Sequence, residues 1–242
     1  MIVRRITGHL KKQHWTAVFL DLAIVVLGVF IGLQVNNWSE ARNEQRTERA
    51  YLERLRVDFD ANVKELQSFI DGRRSDGKTL SELAIALHDG GTPPSVEALQ
   101  SPLCRWGAPP LPALRQGTYN ELVSSGRLSL LRDERLRTLL ADYSAAEDRS
   151  IYVGTLLPVV LQGTASLDGY RSWVVTSKAA ATRNGAVGCD FNIAGMQRDP
   201  RIASAVAQLF RYQKLHENFR RAELDSALAV KARLDQLIGT NR

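Results

Sequence analysis

The sequence has few of the residues from which catalytic and metal sites are built. Its 242 residues include two cysteines, Cys104 and Cys189, and four histidines, and no HExxH, GxSxG or GxGxxG pattern occurs. Two cysteines do not make a structural zinc cluster unless His88 and His216 join them, and their spacing resembles no zinc finger. We therefore predict that the protein is not an enzyme, with no catalytic residues, no metal site and no cofactor.

Aromatic residues are also scarce, at 7% of the chain, which favours helices over a sandwich or barrel. The net charge is +6, with arginine spread along the chain. A basic balance points to nucleic acid in a cytosolic protein, and outside a membrane to anionic headgroups or cell-wall polymers. The arginines can also simply coat solvated helix faces, paired with glutamates four residues away. We predict no nucleic-acid partner.

One apolar run dominates the sequence, WTAVFLDLAIVVLGVFIGLQVNNW from Trp15 to Trp38. Between Trp15 and Val35 it carries one formal charge, Asp21, and no proline. About 20 helical residues cross a hydrocarbon core of roughly 30 Å, and tryptophans favour its two interfaces. The run predicts a transmembrane helix over residues 15–37.

Within this helix, four residues share one face: Asp21, Val25, Gly28 and Gly32. Small residues four apart let two helix backbones approach closely in lipid, and an ionisable group there normally points at a partner. We predict that this face contacts a neighbouring helix. The alternative is that the glycines are incidental and that Asp21 reaches the interface or stays protonated.

The same run resembles a signal peptide in one respect, because basic residues precede it. It exceeds the usual 7–15 apolar residues, contains Asp21 and lacks a small-x-small cleavage site. We therefore expect the protein to stay anchored.

Orientation follows from the basic residues that flank the span. Four precede it and three follow closely, and Lys11 and Lys12 abut the membrane. We predict a cytoplasmic tail at 1–14, a helical stalk at 38–51 and a periplasmic domain at 52–242, anchored in a bacterial inner membrane. In that oxidising compartment Cys104 and Cys189 are expected to form a disulfide; in the cytosol they would be free thiols.

For most of the remaining chain the sequence pattern predicts helices. An apolar stripe runs from Leu52 to Ile70, Gly72 and Gly77 predict a break, and a short helix is expected from Thr79 to His88. Residues 38–51 either continue the membrane helix or follow a joint near Ser39 and Asn37. Prolines predict an irregular loop between Gln100 and Gln116, and glycines predict a second excursion at residues 163–198. Within the second, Tyr170, Trp173, Val174 and Val175 fit either a helix end or a strand.

Three helix starts carry recognisable caps. Thr118 and Glu121 fit a capping box, Asp133 is expected to cap a long helix, and Asp199 precedes Pro200 at the start of the last helix. The predicted fold is therefore all-α: an N-terminal transmembrane helix followed by an antiparallel helical bundle with two irregular loop excursions.

Three segments carry a resemblance to a known family: FLDLAIVVLGVFIGLQVNNW, YLERLRVDFDAN and TYNELVSSGRLSLLRDERLRTLLADY. Together they resemble a bacterial family of single-span, membrane-anchored helical proteins of unknown function. The resemblance covers most of the chain and is most specific in the span with its NNW exit. It implies an anchored helical domain but supplies no activity and no functional residues.

Three functions remain open on the sequence. The first is a structural or interaction protein that forms a homo-oligomer or joins a larger membrane complex. The second is a sensor-like bundle that holds a small ligand between helices. The third is a proton- or force-coupled accessory subunit that acts through Asp21, because the layout resembles stator-type subunits of proton-driven motors.

Overall fold

A computed structural model of the protein describes residues 15–104, 111–174 and 188–240, without the side chains of 15–18, 21, 174 and 240. The predicted cytoplasmic tail, 1–14, lies outside the described residues. The chain divides into two compact units, Met1–Tyr51 and Leu52–Arg242. We call them the N-terminal and the C-terminal unit.

The described residues are mostly helical. The α-helices are α1 (Trp15–Asp89), α2 (Val96–Leu99), α3 (Gly117–Ser124), α4 (Glu134–Gly154), α5 (Leu157–Gly163), α6 (Ile193–Arg198) and α7 (Pro200–Thr240). A π-helical turn covers Gln100–Cys104, and 3-10 turns cover Arg127–Leu130 and Ala165–Tyr170.

The chain is not all-α, as the sequence predicted, because two short strands pair in the glycine-rich region. β1 (Arg171–Val174) and β2 (Gly188–Phe191) are antiparallel, with Trp173 opposite Cys189. The sequence left the region of β1 open between a helix end and a strand, because the strand sequence RSWV has no strict alternation of polar and apolar residues. The expected proline-rich loop is also partly regular, because Gln100–Cys104 forms the π-helical turn.

Helix α1 is continuous, so the break predicted at Gly72 and Gly77 is wrong. A glycine inside a helix costs only about 1 kcal/mol relative to alanine. Leu66 and Ile70 before the glycines, and Leu80 after them, are at most 2% exposed. Burying these three side chains along one helix stabilises the helical path by more than the glycines cost. No joint interrupts α1 near Ser39 either.

In the C-terminal unit, α7 runs antiparallel to the second half of α1. Arg56 pairs with Asp235 at 3.0 Å, whereas Arg74, further along α1, lies 3.9 Å from Glu217, earlier in α7. The two helices therefore advance in opposite directions past each other.

Helix α4 also runs antiparallel to α7. Near the start of α4, Asp133 pairs with Arg233, and near its end the Tyr212 hydroxyl donates to the carbonyl of Val153 at 3.3 Å. Apolar side chains from α1, α4 and α7 are buried in this unit, among them Leu55, Phe59, Leu136, Leu140, Ala227, Val230 and Leu234.

Two of the predicted caps are confirmed. The Asp133 carboxylate accepts from the backbone N–H of Leu136 at 2.7 Å and begins α4. The Asp199 carboxylate accepts from the backbone N–H of Arg201 at 3.0 Å, directly before Pro200 opens α7. Both side chains satisfy an N–H group that the first helical turn leaves without a partner.

The capping box predicted at Thr118 is wrong. Helix α3 starts at Gly117, two residues before the start that a cap at Thr118 implies, and Gln116 precedes it without a side-chain cap. The Thr118 hydroxyl instead donates to the Asp58 carboxylate on α1 at 2.6 Å, and Glu121 pairs with Arg54. A charged acceptor on a neighbouring helix forms a stronger hydrogen bond than a local backbone amide.

Candidate functional site

The most unusual surface of the protein is the apolar part of α1 between residues 19 and 35. Each large apolar side chain described there is exposed, from 53% at Ile31 to 72% at Phe19. The helix holds an 18-residue window with mean hydropathy 1.6, of which 0% is buried. Removing one such side chain from water is worth about 1.5–3 kcal/mol. By length and composition the segment is therefore a candidate membrane span.

The predicted contact face lies within this segment. Val25 is 62% exposed, and a Cβ atom built at Gly28 or Gly32 meets nothing within 4 Å. Both glycines therefore leave an open strip along the helix, which other parts of the described chain do not fill. Asp21 belongs to the same helix, but its side chain lies outside the described residues.

The end of the apolar segment carries an aromatic and cationic pair. Trp38 is 61% exposed, and the Arg42 guanidinium stacks over its ring at 4.5 Å. Such a pair is suited to the boundary between hydrocarbon and headgroups, because the indole ring can contact hydrocarbon while the guanidinium stays in contact with water and headgroups.

In the C-terminal unit, Cys104 and Cys189 lie at disulfide distance, with their Cα atoms 5.6 Å apart. This is the pairing that the sequence predicted. Next to it, the Gln100 side chain accepts from the Cys189 N–H at 2.9 Å and donates to the Cys189 carbonyl. The Gln100 side-chain amide therefore pairs with the backbone of Cys189 as the peptide group of a neighbouring strand would. The bridge and the amide together hold the π-helical turn against the strand pair.

Residues 72–79, GRRSDGKT, match the phosphate-binding pattern GxxxxGK[ST], a match that weighs against the prediction of no cofactor site. That pattern binds phosphate only as a loop between a strand and a helix, where its free N–H groups surround the anion. All eight residues lie inside α1, where the helix uses those N–H groups. The segment therefore has no phosphate-binding loop in this conformation.

A polar cluster lies inside the C-terminal unit, centred on an ion pair within α7. Arg220 and Glu223 pair at 2.9 Å, and their side chains are 5% and 0% exposed. Burial, and less strongly the charge of Glu223, raises the pKa of the nearby Glu147 carboxyl. Burial also raises the pKa of Glu223, although Arg220 opposes the change. A buried charge pair is costly unless hydrogen bonds complete it.

Hydrogen bonds from other elements partly complete this cluster. Glu147 on α4 accepts from the Gln116 side chain. Asn62 on α1 accepts from the backbone N–H of Arg115 at 2.7 Å and donates to its carbonyl at 3.0 Å. Burial raises the pKa of the Tyr143 hydroxyl, which accepts a hydrogen bond from the Asn62 side chain at 3.4 Å, above its ordinary value. The segment before α3 is therefore attached to polar groups on α1 and α4.

His216 lies at the other end of this cluster. It is 6% exposed, stacks on Tyr212 with ring centroids 6.1 Å apart, and forms a T-shaped contact with Phe69 with centroids 5.7 Å apart. The sequence predicted a histidine at the edge of the core, and its burial agrees. Among the residues that the structure describes, none forms a hydrogen bond with its Nε2. Across the described ranges, no three His, Cys, Asp or Glu side chains are placed to hold a metal ion.

This cluster was not predicted from the sequence, although the helical spacing contains a signal for it. Gln213, His216, Arg220 and Glu223 follow one another at steps of three and four residues and are all at most 6% exposed. They continue the face on which Leu209 is buried. A run of polar residues at positions where an apolar stripe should continue indicates a buried polar interior, whereas residue type alone indicates a solvated face.

No curated protein and no solved structure matches the chain. A family match, by contrast, covers residues 21–183, from within the apolar segment to beyond β1. Because the match covers more than half of the sequence, the protein belongs to the family of unknown function DUF6090.

Proposed function

We propose that the protein is a membrane-anchored structural or interaction protein. Residues 15–37 span a bacterial inner membrane, the tail 1–14 is cytoplasmic, residues 38–51 form a stalk, and residues 52–242 form a periplasmic helical bundle. The protein associates with copies of itself or with a larger membrane complex. It acts without catalysis, and nucleic acid is not among its partners.

The observation that carries this proposal is the exposed apolar segment of α1. The segment lies outside every core in the described residues, which distinguishes it from the buried helix of a soluble protein. Covering its side chains with hydrocarbon contributes on the order of 20 kcal/mol, far more than a folded domain has to spare. A signal sequence has the same composition, so retention of the segment is the first thing to test.

The bridge between Cys104 and Cys189 supports the periplasmic side for the C-terminal unit. Disulfides persist in oxidising compartments and are rare in the bacterial cytosol. The open strip at Gly28 and Gly32 supports association within the membrane. Without side chains there, a second backbone can approach closely enough for van der Waals contact.

The first experiment tests anchoring with the full chain expressed in a bacterium. We expect the protein to remain in membranes after alkaline carbonate washing, at the 26.9 kDa mass of the uncleaved chain. Protease added to spheroplasts should digest the C-terminal unit and spare an N-terminal tag. Release by carbonate would show that the segment does not span the membrane, and a mass that lacks the apolar segment would show that it is a cleaved leader.

A second experiment tests association through the glycine face. Gly28→Leu and Gly32→Leu add bulk where two backbones should touch, and Ala23→Leu adds similar bulk on the opposite side of the helix. Cross-linked or co-purified partner should fall for the two glycine variants only, because a leucine side chain on this face keeps the two backbones apart. Equal losses in all three variants would exclude a specific face.

Asp21 separates the interaction proposal from the proton-coupled alternative. Asp21→Asn keeps the shape and hydrogen bonding of the side chain, so an interaction role predicts intact assembly and function, with weaker assembly for Asp21→Leu. A proton-coupled role predicts that Asp21→Asn assembles normally but loses function. If Asp21→Leu behaves as wild type in recovery of the complex and in growth, neither role applies to this residue.

A further inference from the structure

Beside the disulfide, the C-terminal unit contains a cavity of about 160 Å³ that is partly open to solvent. Six apolar side chains line it: Leu103, Leu161, Leu167, Phe191, Met196 and Leu209. Empty cavities of roughly 150 Å³ with such walls stay dry and accept a molecule the size of benzene. The cavity therefore has room for an apolar group of about six carbon atoms.

Three polar residues complete the wall: Thr164, Asp168 and Arg171. The Thr164 hydroxyl donates to the carbonyl of Val160 at 3.1 Å, so its hydrogen is already used in a hydrogen bond at the end of α5. Arg171 supplies the cationic group of the lining, and its side chain is 20% exposed. The cavity thus combines an apolar interior with one guanidinium in its wall.

Two contacts hold the Arg171 guanidinium in place. Its Nη1 donates to the carbonyl of Leu103 at 3.0 Å, and the group stacks over the Trp173 ring at 4.7 Å. Its Nη2 donates to the carboxylate of Asp168, whose side chain is 65% exposed. Exposed ion pairs of this kind are weak, because water and salt screen them. Another carboxylate can therefore take the place of Asp168.

We propose that this cavity binds a short aliphatic carboxylate. The hydrocarbon tail occupies the space between the leucines, Phe191 and Met196, and the carboxylate pairs with Arg171 in place of Asp168. A planar guanidinium binds a carboxylate through two parallel hydrogen bonds, which fixes the direction of the tail. The acyl chain of a membrane lipid would present an ester instead of a carboxylate, and its binding would not depend on Arg171.

The test uses the full chain in lipid nanodiscs and hexanoate as the probe, since its short chain partitions weakly into lipid. Binding is followed by saturation-transfer NMR, with hexanol and methyl hexanoate as uncharged probes and hexylamine as the cation. We expect wild type to bind hexanoate in preference to all three. Arg171→Gln should weaken hexanoate binding at least about tenfold and leave hexanol binding unchanged. Asp168→Asn should strengthen hexanoate binding, up to about fivefold.

Three further variants serve as controls. Leu161→Trp fills the cavity from a half-buried position and should abolish binding of hexanoate and hexanol alike. Arg171→Lys keeps the charge and should retain more hexanoate binding than Arg171→Gln, which separates loss of charge from loss of folding. Arg54→Gln removes a surface guanidinium that pairs with Glu121 and should change nothing. Thermal unfolding of each variant verifies that the fold is intact.

Several results would overturn the proposal. One is the absence of any hexanoate signal at about 10 mM, a concentration that detects even millimolar affinity. Another is hexanoate binding that survives both Arg171→Gln and Leu161→Trp, which would place it elsewhere on the protein or in the lipid. Equal binding of hexanoate, methyl hexanoate and hexanol would assign the cavity to uncharged chains. These outcomes are independent of whether the protein is anchored in a membrane.

Discussion

Burial of His216 makes the stability of the C-terminal unit depend on pH. Burial, together with the nearby guanidinium groups of Arg220 on α7 and Arg73 on α1, lowers the pKa of His216 from 6.5 to about 4. The folded protein therefore holds this imidazole neutral at a pH where the unfolded chain binds a proton. Between pH 6.5 and 4 the unfolded state takes up more protons, so stability falls as the pH falls through that range.

The magnitude follows from the difference in proton affinity. Each factor of ten is worth about 1.4 kcal/mol, so His216 accounts for a loss of about 3 kcal/mol once the pH reaches 4. For a protein of this size that loss lowers Tm by roughly 6–12 °C. The raised pKa values of Glu147 and Glu223 act in the opposite direction, since protonating these buried carboxyls stabilises the folded state. The contribution of His216 is therefore measured as a difference between variants.

His216→Gln removes the titrating group and keeps a polar side chain of similar size. Thermal unfolding of the full chain in nanodiscs, followed by circular dichroism from pH 7.5 to 4, should show a smaller loss of Tm for His216→Gln than for wild type. His88→Gln is the matched control, because the His88 side chain is 81% exposed. If wild type and His216→Gln lose Tm in parallel, burial of a neutral histidine is not the cause of the acid sensitivity.

Two further predictions concern the disulfide and the buried ion pair. The bridge between Cys104 and Cys189 closes a loop with a sequence separation of 85, for which chain entropy gives about 4–5 kcal/mol. Reduction should therefore lower Tm and change mobility on gels, and labelling of both thiols without reductant would contradict the bridge. Arg220→Met should cost about 3–5 kcal/mol, whereas Arg220→Met with Glu223→Leu should recover most of it. A double variant as unstable as the sum of the single ones would refute this coupling.

The continuous helix α1 shows which part of the fold the sequence could predict. The apolar stripe from Leu52 to Ile70 was correct because its helical period is visible within one segment. The predicted break at Gly72 and Gly77 was wrong because the low helix propensity of glycine is outweighed by the burial of apolar side chains before and after these two residues. Both glycines leave open space around an added Cβ, so the structure does not need them. Their cost is offset by long-range packing, which local sequence does not report.

The helix caps separate local from long-range chemistry in the same way. The caps predicted at Asp133 and Asp199 were correct because each carboxylate accepts a hydrogen bond from a backbone N–H group two or three residues along the chain. The capping box predicted at Thr118 was wrong because the Thr118 hydroxyl donates instead to Asp58, which lies 60 residues away in sequence. A motif four residues long does not contain that competitor. The pairing of Cys104 with Cys189 was predictable despite its long range, because only two cysteines exist.

The polar cluster along α7 was not predictable from residue type, and its position accounts for the register of the C-terminal unit. Apolar residues recur along α1 and α7 at intervals close to seven, so shifting one helix by a heptad would keep many apolar contacts. It would also separate Arg56 from Asp235, and Arg74 from Glu217. The buried Gln213 side chain would also lose its hydrogen bond to the Arg73 carbonyl on α1, at 2.8 Å. A buried donor without a partner is costly, whereas apolar contacts are not directional. We infer that the charged residues on α7 select one alignment among several that the apolar stripe permits.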